Sequence, residues 1–409
     1  MAVKLSNESN GMIGINSKQT LGKYAFLHLG FRPFFIGATG FAFLSTLLWM
    51  GIYVLGWTLQ PKHFAPITWH AHEMIYGYSM AVIAGFLLTA VKTWTDVQTL
   101  NGYPLLSLFL FWIVVRLLPF FSGIASIEIV ALMDNLFILF LIVAVAAPLL
   151  KVRQWRNMSM MALLLLLLAS NVVFYLGVLG IITNGILLGL YSGLYLILTL
   201  IFIMGRRVIP FFIERGVGYP VKLKNWKWID ISSLVTFLLF WIADLIVLSS
   251  SITAGLAGLL FFIHGIRLFG WHTPGIWKKP LLWILYLAYT LIVVGFALKA
   301  IGIVYGISPY LAVHAFAFGG IGMMTLGMMA RVSLGHTGRS VHDPPGSLNV
   351  IFITLFSGAV VRVIFPLLDI SLYALWIALS QTLWMGAFGM FLYIYFPILI
   401  YPRIDGRYG

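Results

Sequence analysis

His314-AFAFGGIGMMTLGMMARVSLG-His336 is an apolar, Gly- and Met-rich stretch bounded by two histidines. At 1.5 Å per residue the histidines stand ~33 Å apart along a helix, about one hydrocarbon thickness. They cannot share one metal ion. At ~100° per residue an unbroken α-helix returns the second side chain to within ~40° of the first, so both are expected to face one interior direction at opposite membrane faces. Histidine inside a membrane is costly and is usually paired, water-lined or ligating, which points to polar or cofactor sites at two depths.

Composition agrees with a membrane class. The chain is 61% hydrophobic and 9% charged, with mean hydropathy +1.02, against ~25% charged residues in soluble domains. Twelve apolar segments have spanning length, near 34–56, 72–92, 104–121, 127–149, 159–182, 185–205, 229–249, 252–270, 280–301, 309–331, 348–368 and 371–400. The expected fold is an all-α polytopic membrane protein with about twelve transmembrane helices, forming one integral-membrane domain over residues 1–409. No internal repeat is visible by eye. Residues 1–30 read as a polar N-terminal tail, and with no small-residue cleavage pattern the first span is expected to stay in the mature protein.

Basic residues orient the chain. All Lys and Arg except Lys62, Arg116, Lys299 and Arg362 fall in the tails or the connections after even-numbered spans, so both termini are expected to be cytoplasmic. The net charge of +14 is then explained by topology and anionic lipid, and a nucleic-acid partner is not expected. With zero cysteines, disulfides, Cys-ligated clusters and thioether-attached haem are excluded, and any metal must be held by His, Met, Tyr, carboxylate or water.

On that orientation His63, His70, His72 and His314 lie toward the outer face; His28, His264, His272, His336 and His342 lie toward the inner one. The densest motif is Trp69-His70-Ala71-His72-Glu73-Met74, at the start of the second span. His-x-His with thioether nearby suits copper, although an interfacial Trp/His belt has the same composition. Glu73 can orient an imidazole, ligate or deliver protons, and Tyr76 lies one turn beyond His72, as a hydrogen-bond or proton donor or an interfacial anchor. Arg116, Glu128, Asp134, Asp244, Arg362 and Asp369 are further charges in or near spans, whose pairings the sequence does not reveal. On the inner side, His28, the His264/Arg267 pair, and His336 with Arg331 and Arg339 combine imidazoles with guanidinium groups, a pattern able to hold haem by axial ligation and propionate pairing. The competing reading is positive-inside arginine and interfacial histidine, preferred for the loop residues His272 and His342.

These motifs, together with Gly205-RRVIPF-Phe212, Phe31-Arg32-Pro33-Phe34-Phe35 and the run from His314 to Arg339, resemble the NnrS family of membrane proteins over nearly the whole chain. The resemblance implies non-covalent b-type haem and copper, the bacterial inner membrane, and a place in denitrification and protection against nitrosative stress, with nitric oxide as partner and an unidentified electron donor. It favours His70, His72 and His314 as outer metal ligands, His28, His264 and His336 as inner ones, and Glu73 for orienting a ligand or handling protons; the residues themselves add Arg267, Arg331 and Arg339 to the inner cofactor set and Tyr76 beside Glu73 as a catalytic candidate. It does not divide the histidines between haem and copper. The chain departs from the family pattern at Tyr175 and Tyr286, where histidine is frequent. Nitric oxide binding, with its reduction as the candidate reaction, competes with a proton- or ion-coupled transporter whose path runs through intramembrane His, Glu and Arg.

Overall fold

The computed structural model describes residues 24–409 except 60, 64, 122, 248 and 249, with the side chains of 156 and 247 also outside the description. Most of the N-terminal tail, residues 1–23, therefore lies outside the described residues. Twelve helices are long and apolar enough to cross a membrane: α1 Phe31–Tyr53, α2 Pro66–Thr95, α3 Gly102–Phe120, α4 Ile127–Lys151, α5 Met158–Val178, α6 Gly185–Gly216, α7 Lys227–Ile246, α8 Ser250–Trp271, α9 Pro280–Tyr305, α10 Pro309–His336, α11 Ser347–Leu368 and α12 Tyr373–Ile400. Helix is the form that satisfies every backbone polar group within one segment, which lipid requires. Pro66, Pro280 and Pro309 start three of the helices, at the position where a missing N–H costs nothing.

Two boundaries differ usefully from the hydropathy reading. Helix α2 begins at Pro66, ahead of the expected start near 72, so His70 as well as His72 sits inside it; polar side chains had masked a helical backbone. Helix α6 continues to Gly216 and takes in the whole of Gly205–Phe212. Three helices also contain π-helical turns, at Glu73–Ser79, Ala243–Val247 and Ala315–Gly322. The first and third follow directly on His72 and His314. Because π turns hold more residues than α turns, α-helical periodicity does not extrapolate the direction of His336 from that of His314.

An internal repeat, invisible by eye, becomes legible once the packing is known. Within each of three consecutive sets, α1–α4, α5–α8 and α9–α12, the first helix packs on the second and the third on the fourth. The sets then close a ring, since α4 packs on α5, α8 on α9 and α12 on α1. Helices α2, α6 and α10 meet inside it: α6 touches the π stretches of both others, and the Tyr78 and Thr325 hydroxyls join α2 to α10 at 2.6 Å. Against this frame, His72, Gly77 and Gly85 of α2 match His314, Gly319 and Gly327 of α10 at identical spacing. Val114-Val115-Arg116 of α3 matches Val360-Val361-Arg362 of α11, and Leu110-Phe111-Trp112-Ile113 matches Leu239-Phe240-Trp241-Ile242 of α7. Ala131-Leu132-Met133-Asp134 of α4 corresponds to Ala378-Leu379-Ser380-Gln381 of α12.

Twelve crossings return both ends to one face, where Ala25 N–H donates to Ile400 O at 2.7 Å and Arg32 donates to Leu399 O and Tyr401 O, both at 2.8 Å. We call this the terminal face. The C-terminal ends of α3, α7 and α11 therefore lie toward the opposite face, and each carries a charged residue: Arg116, Asp244 and Arg362.

Candidate functional site

The first of these charges organises the most buried polar cluster described. Arg116 Nη1 donates to Glu73 Oε1 and Oε2 at 3.1 and 2.9 Å, while its Nη2 pairs with Asp134. Asp134 also accepts from the Tyr175 hydroxyl at 3.0 Å and from Asn171 Nδ2 at 3.1 Å. His72 lies between the two acids, with Nδ1 at 3.3 Å from Glu73 Oε1 and Nε2 at 3.0 Å from Asn171 Oδ1. Asn171 Nδ2 is committed to two oxygens, those of Asp134 and Asn135, which fixes its own oxygen toward His72. Both His72 nitrogens are thus taken up by oxygen atoms of the protein. Tyr76 is adjacent, but its hydroxyl donates to Gly189 O at 2.7 Å with Ser170 Oγ at 2.9 Å.

His70 does not join that cluster. Two residues apart on a helix, neighbouring side chains leave on different sides. Its ring stacks on Trp49 at 4.8 Å, its Nδ1 is buried with no hydrogen-bond partner, and it lies within electrostatic range of His314 and Arg362. His314 Nδ1 donates to Tyr310 O at 2.7 Å. That bond leaves the Nε2 lone pair, 3.3 Å from Arg362 Nη2, as the acceptor. The three proposed outer ligands are thus divided: His70 lies against Trp49, within electrostatic range of His314, while His72 is turned into the acid cluster. Among the described residues no group of three His, Asp or Glu side chains is arranged to hold a metal ion.

The charge at the end of α7 is internally matched. Asp244 accepts from Lys299 Nζ at 2.7 Å and from the Tyr195 hydroxyl at 2.6 Å. Sequence reasoning named Arg116, Asp134, Asp244 and Arg362 but not their pairings, and it missed Asn171 of α5 and Gln381 of α12 entirely; for Gln381 the available signal was its correspondence with Asp134 of α4.

Toward the terminal face the inner candidates also fall into two places. His264 is enclosed by Phe202 at 4.4 Å and Phe296 at 5.7 Å. Its Nδ1 is 2.7 Å from the Tyr289 hydroxyl, and its Nε2 is buried without a partner. Arg267 is taken up by protein, donating to Tyr289 Oη at 3.0 Å, Asp230 Oδ1 at 2.9 Å and Ser233 Oγ at 3.1 Å. His28 and His336 lie apart from it, near the chain ends. His28 stacks on Tyr408 at 4.4 Å and has a buried, unpartnered Nδ1. Burial, and then the Arg32 guanidinium, lowers its pKa from the ordinary 6.5, so the ring is neutral at pH 7. His336 is 5.7 Å from the Phe31 ring and within range of Arg32 and Arg403. Arg331 stacks over Phe212 at 3.7 Å, and Arg339 reaches only Thr337 O at 3.5 Å. Neither has a carboxylate partner among the described residues.

The fold and these sites define a polytopic membrane protein with three four-helix units and histidines enclosed at two depths. The family model described as NnrS protein matches residues 25–403. The chain belongs to the NnrS family and is a nitric-oxide-response membrane protein. No curated protein matches it.

Proposed function

We propose that the chain is a haem- and copper-containing protein of the bacterial inner membrane that binds nitric oxide and protects against it, with reduction of nitric oxide as its reaction. The observation that carries this reading is a set of buried imidazole nitrogens without protein partners, His264 Nε2, His28 Nδ1 and His70 Nδ1. A buried polar atom left unsatisfied costs roughly 1–3 kcal/mol, and coordination to a metal removes that cost. His264 would hold the haem iron best: in the tautomer whose Nδ1 donates to the Tyr289 oxygen, 2.7 Å away, the ring is held and Nε2 keeps its lone pair. His28 and His336 are the second inner candidates, and Arg331 and Arg339 have charge available for propionates, whereas Arg267 is already engaged. His70, with its unpartnered Nδ1, is the outer imidazole offered for copper; the three-histidine set does not fit as it stands, because both His72 nitrogens are occupied and His314 is held between Tyr310 O and Arg362 Nη2.

Bound haem supplies a redox-active iron for nitric oxide. The chain's own part is to hold and orient that group, exclude water around Phe202 and Phe296, and keep protons available. Nitric oxide reduction consumes protons, and Glu73 sits where it can pass one, bridging His72 and Arg116.

Purified protein, oxidised, reduced and exposed to nitric oxide, is expected to show haem bands that shift with each treatment, with iron and copper present on the same sample. His264→Ala should lose most of the bound haem while the helical content stays unchanged. A folded, colourless, metal-free wild type would overturn the reading in favour of transport.

Glu73→Gln tests proton handling separately. The amide keeps an oxygen for Arg116 and loses the ionisable proton, so iron and copper should stay near wild-type content while nitric oxide consumption falls about a hundredfold. Unchanged consumption would remove Glu73 from proton delivery, and loss of metal would make it structural.

A further inference from the structure

The two ends of the repeat treat the same charge in opposite ways. In the first unit, Arg116 is neutralised by Glu73 and Asp134, beside His72. In the third unit the matching residues are Arg362, Ala315, Gln381 and His314. The histidine and the arginine are kept, and both carboxylates are replaced by neutral residues. Arg362 is only 7% exposed, yet its Nη1 has no hydrogen-bond partner, and no carboxylate lies within ion-pair distance among the described residues. Its Nη2 meets the His314 Nε2 lone pair, and the guanidinium carbon lies 5.5 Å from the centre of the Tyr373 ring, which offers no counter-charge. The side-chain oxygen of Gln381, at the place that Asp134 holds in α4, is likewise buried and unpartnered.

We propose that Arg362, with His314 and His70 beside it, binds a small planar oxyanion of the nitrite or formate type, which takes the part that the Asp134 carboxylate plays in the first unit. A buried guanidinium without a counter-charge is strongly unfavourable in a membrane. Its planar fork matches two oxygens on one atom, so a two-oxygen anion suits it better than chloride. His70 and His314 are each half-buried, which leaves the site open to a small free anion from the opposite face. Nothing in this assignment depends on a bound metal.

The test is titration of detergent-purified full-length protein with sodium formate and with sodium nitrite, against sodium chloride at matched ionic strength, by calorimetry and thermal shift. Wild type should bind formate and nitrite saturably and chloride more weakly. Arg362→Gln should weaken both oxyanions by about ten- to a hundredfold. Gln381→Asp supplies an internal carboxylate at the matching position, so it should also weaken formate binding and raise the melting temperature measured without added anion. If Arg362→Gln does not fold, Gln381→Asp decides alone. Absence of saturable formate binding in wild type overturns the proposal, as does formate binding that survives Gln381→Asp. Nitrite binding without formate binding counts against it and points to a metal. Iron and copper assayed on the same samples separate the two readings, because metal-free protein that still binds formate defeats the haem assignment and leaves this one standing.

Discussion

Arg116→Leu is expected to destabilise the protein by about 3–5 kcal/mol, because it removes the one guanidinium that holds two buried acids together. Glu73 is 2% exposed and Asp134 0%, so water cannot replace the lost partner. His72 and Asn171 still contact Asp134, but the bidentate pair to Glu73 and the second pair to Asp134 both vanish. Unfolding equilibria in mixed detergent micelles measure the loss. Adding Glu73→Gln and Asp134→Asn to Arg116→Leu should recover part of it, since the neutral cluster has no unmatched charge. A single variant as stable as wild type, or a triple variant worse than the single, would mean that Arg116 does not hold this cluster.

The second large effect comes from a place with no polar chemistry. Helices α5 and α6 approach backbone to backbone: a Cβ at Gly177 would stand 2.2 Å from Ile186 N, and one at Gly185 would stand 2.6 Å from Gly177 Cα. Small residues allow such approach between membrane helices, where packing contributes more than hydrophobic exclusion. Gly177→Leu must therefore push the two helices apart. We expect a loss of about 3 kcal/mol, the upper part of the range for overpacking, because backbone atoms cannot rotate aside as a side chain can. Gly40→Leu is the control, having no atom within 4 Å of its Cβ position, and it should change stability by less than about 0.5 kcal/mol. Equal stability of both variants would show that α5 and α6 separate freely. The contact matters to the site because α5 carries Asn171 and Tyr175 into the Arg116 cluster.

The helical class was legible because it rests on a local property. Twenty or so apolar residues leave the backbone no partner but itself, so each span declares its own structure wherever it sits. All twelve expected segments correspond to helices. The histidines at two depths were legible for the same reason, since position along a span gives depth. Boundaries were less clear at Pro66 and Gly216, where polar side chains sit on helical backbone and hydropathy records only the side chains.

The partners of those side chains were not legible. Lipid accepts any apolar residue, so the repeat is diluted to a few positions, Arg116 and Arg362 or Asp134 and Gln381 among them, and only the ring of packed helices shows which positions correspond. Azimuth escaped as well, because π turns after His72 and His314 shift the phase that α periodicity extrapolates. By itself, then, the sequence determined twelve membrane helices, the level of each histidine and membership of a family. Only the tertiary structure decided that His72 joins Glu73, Arg116 and Asp134, that His70 stacks on Trp49 outside that cluster, and that Arg362 is left without an acid. Hydropathy is a property of one segment in lipid, whereas a buried charge is matched by whichever helix the fold brings beside it.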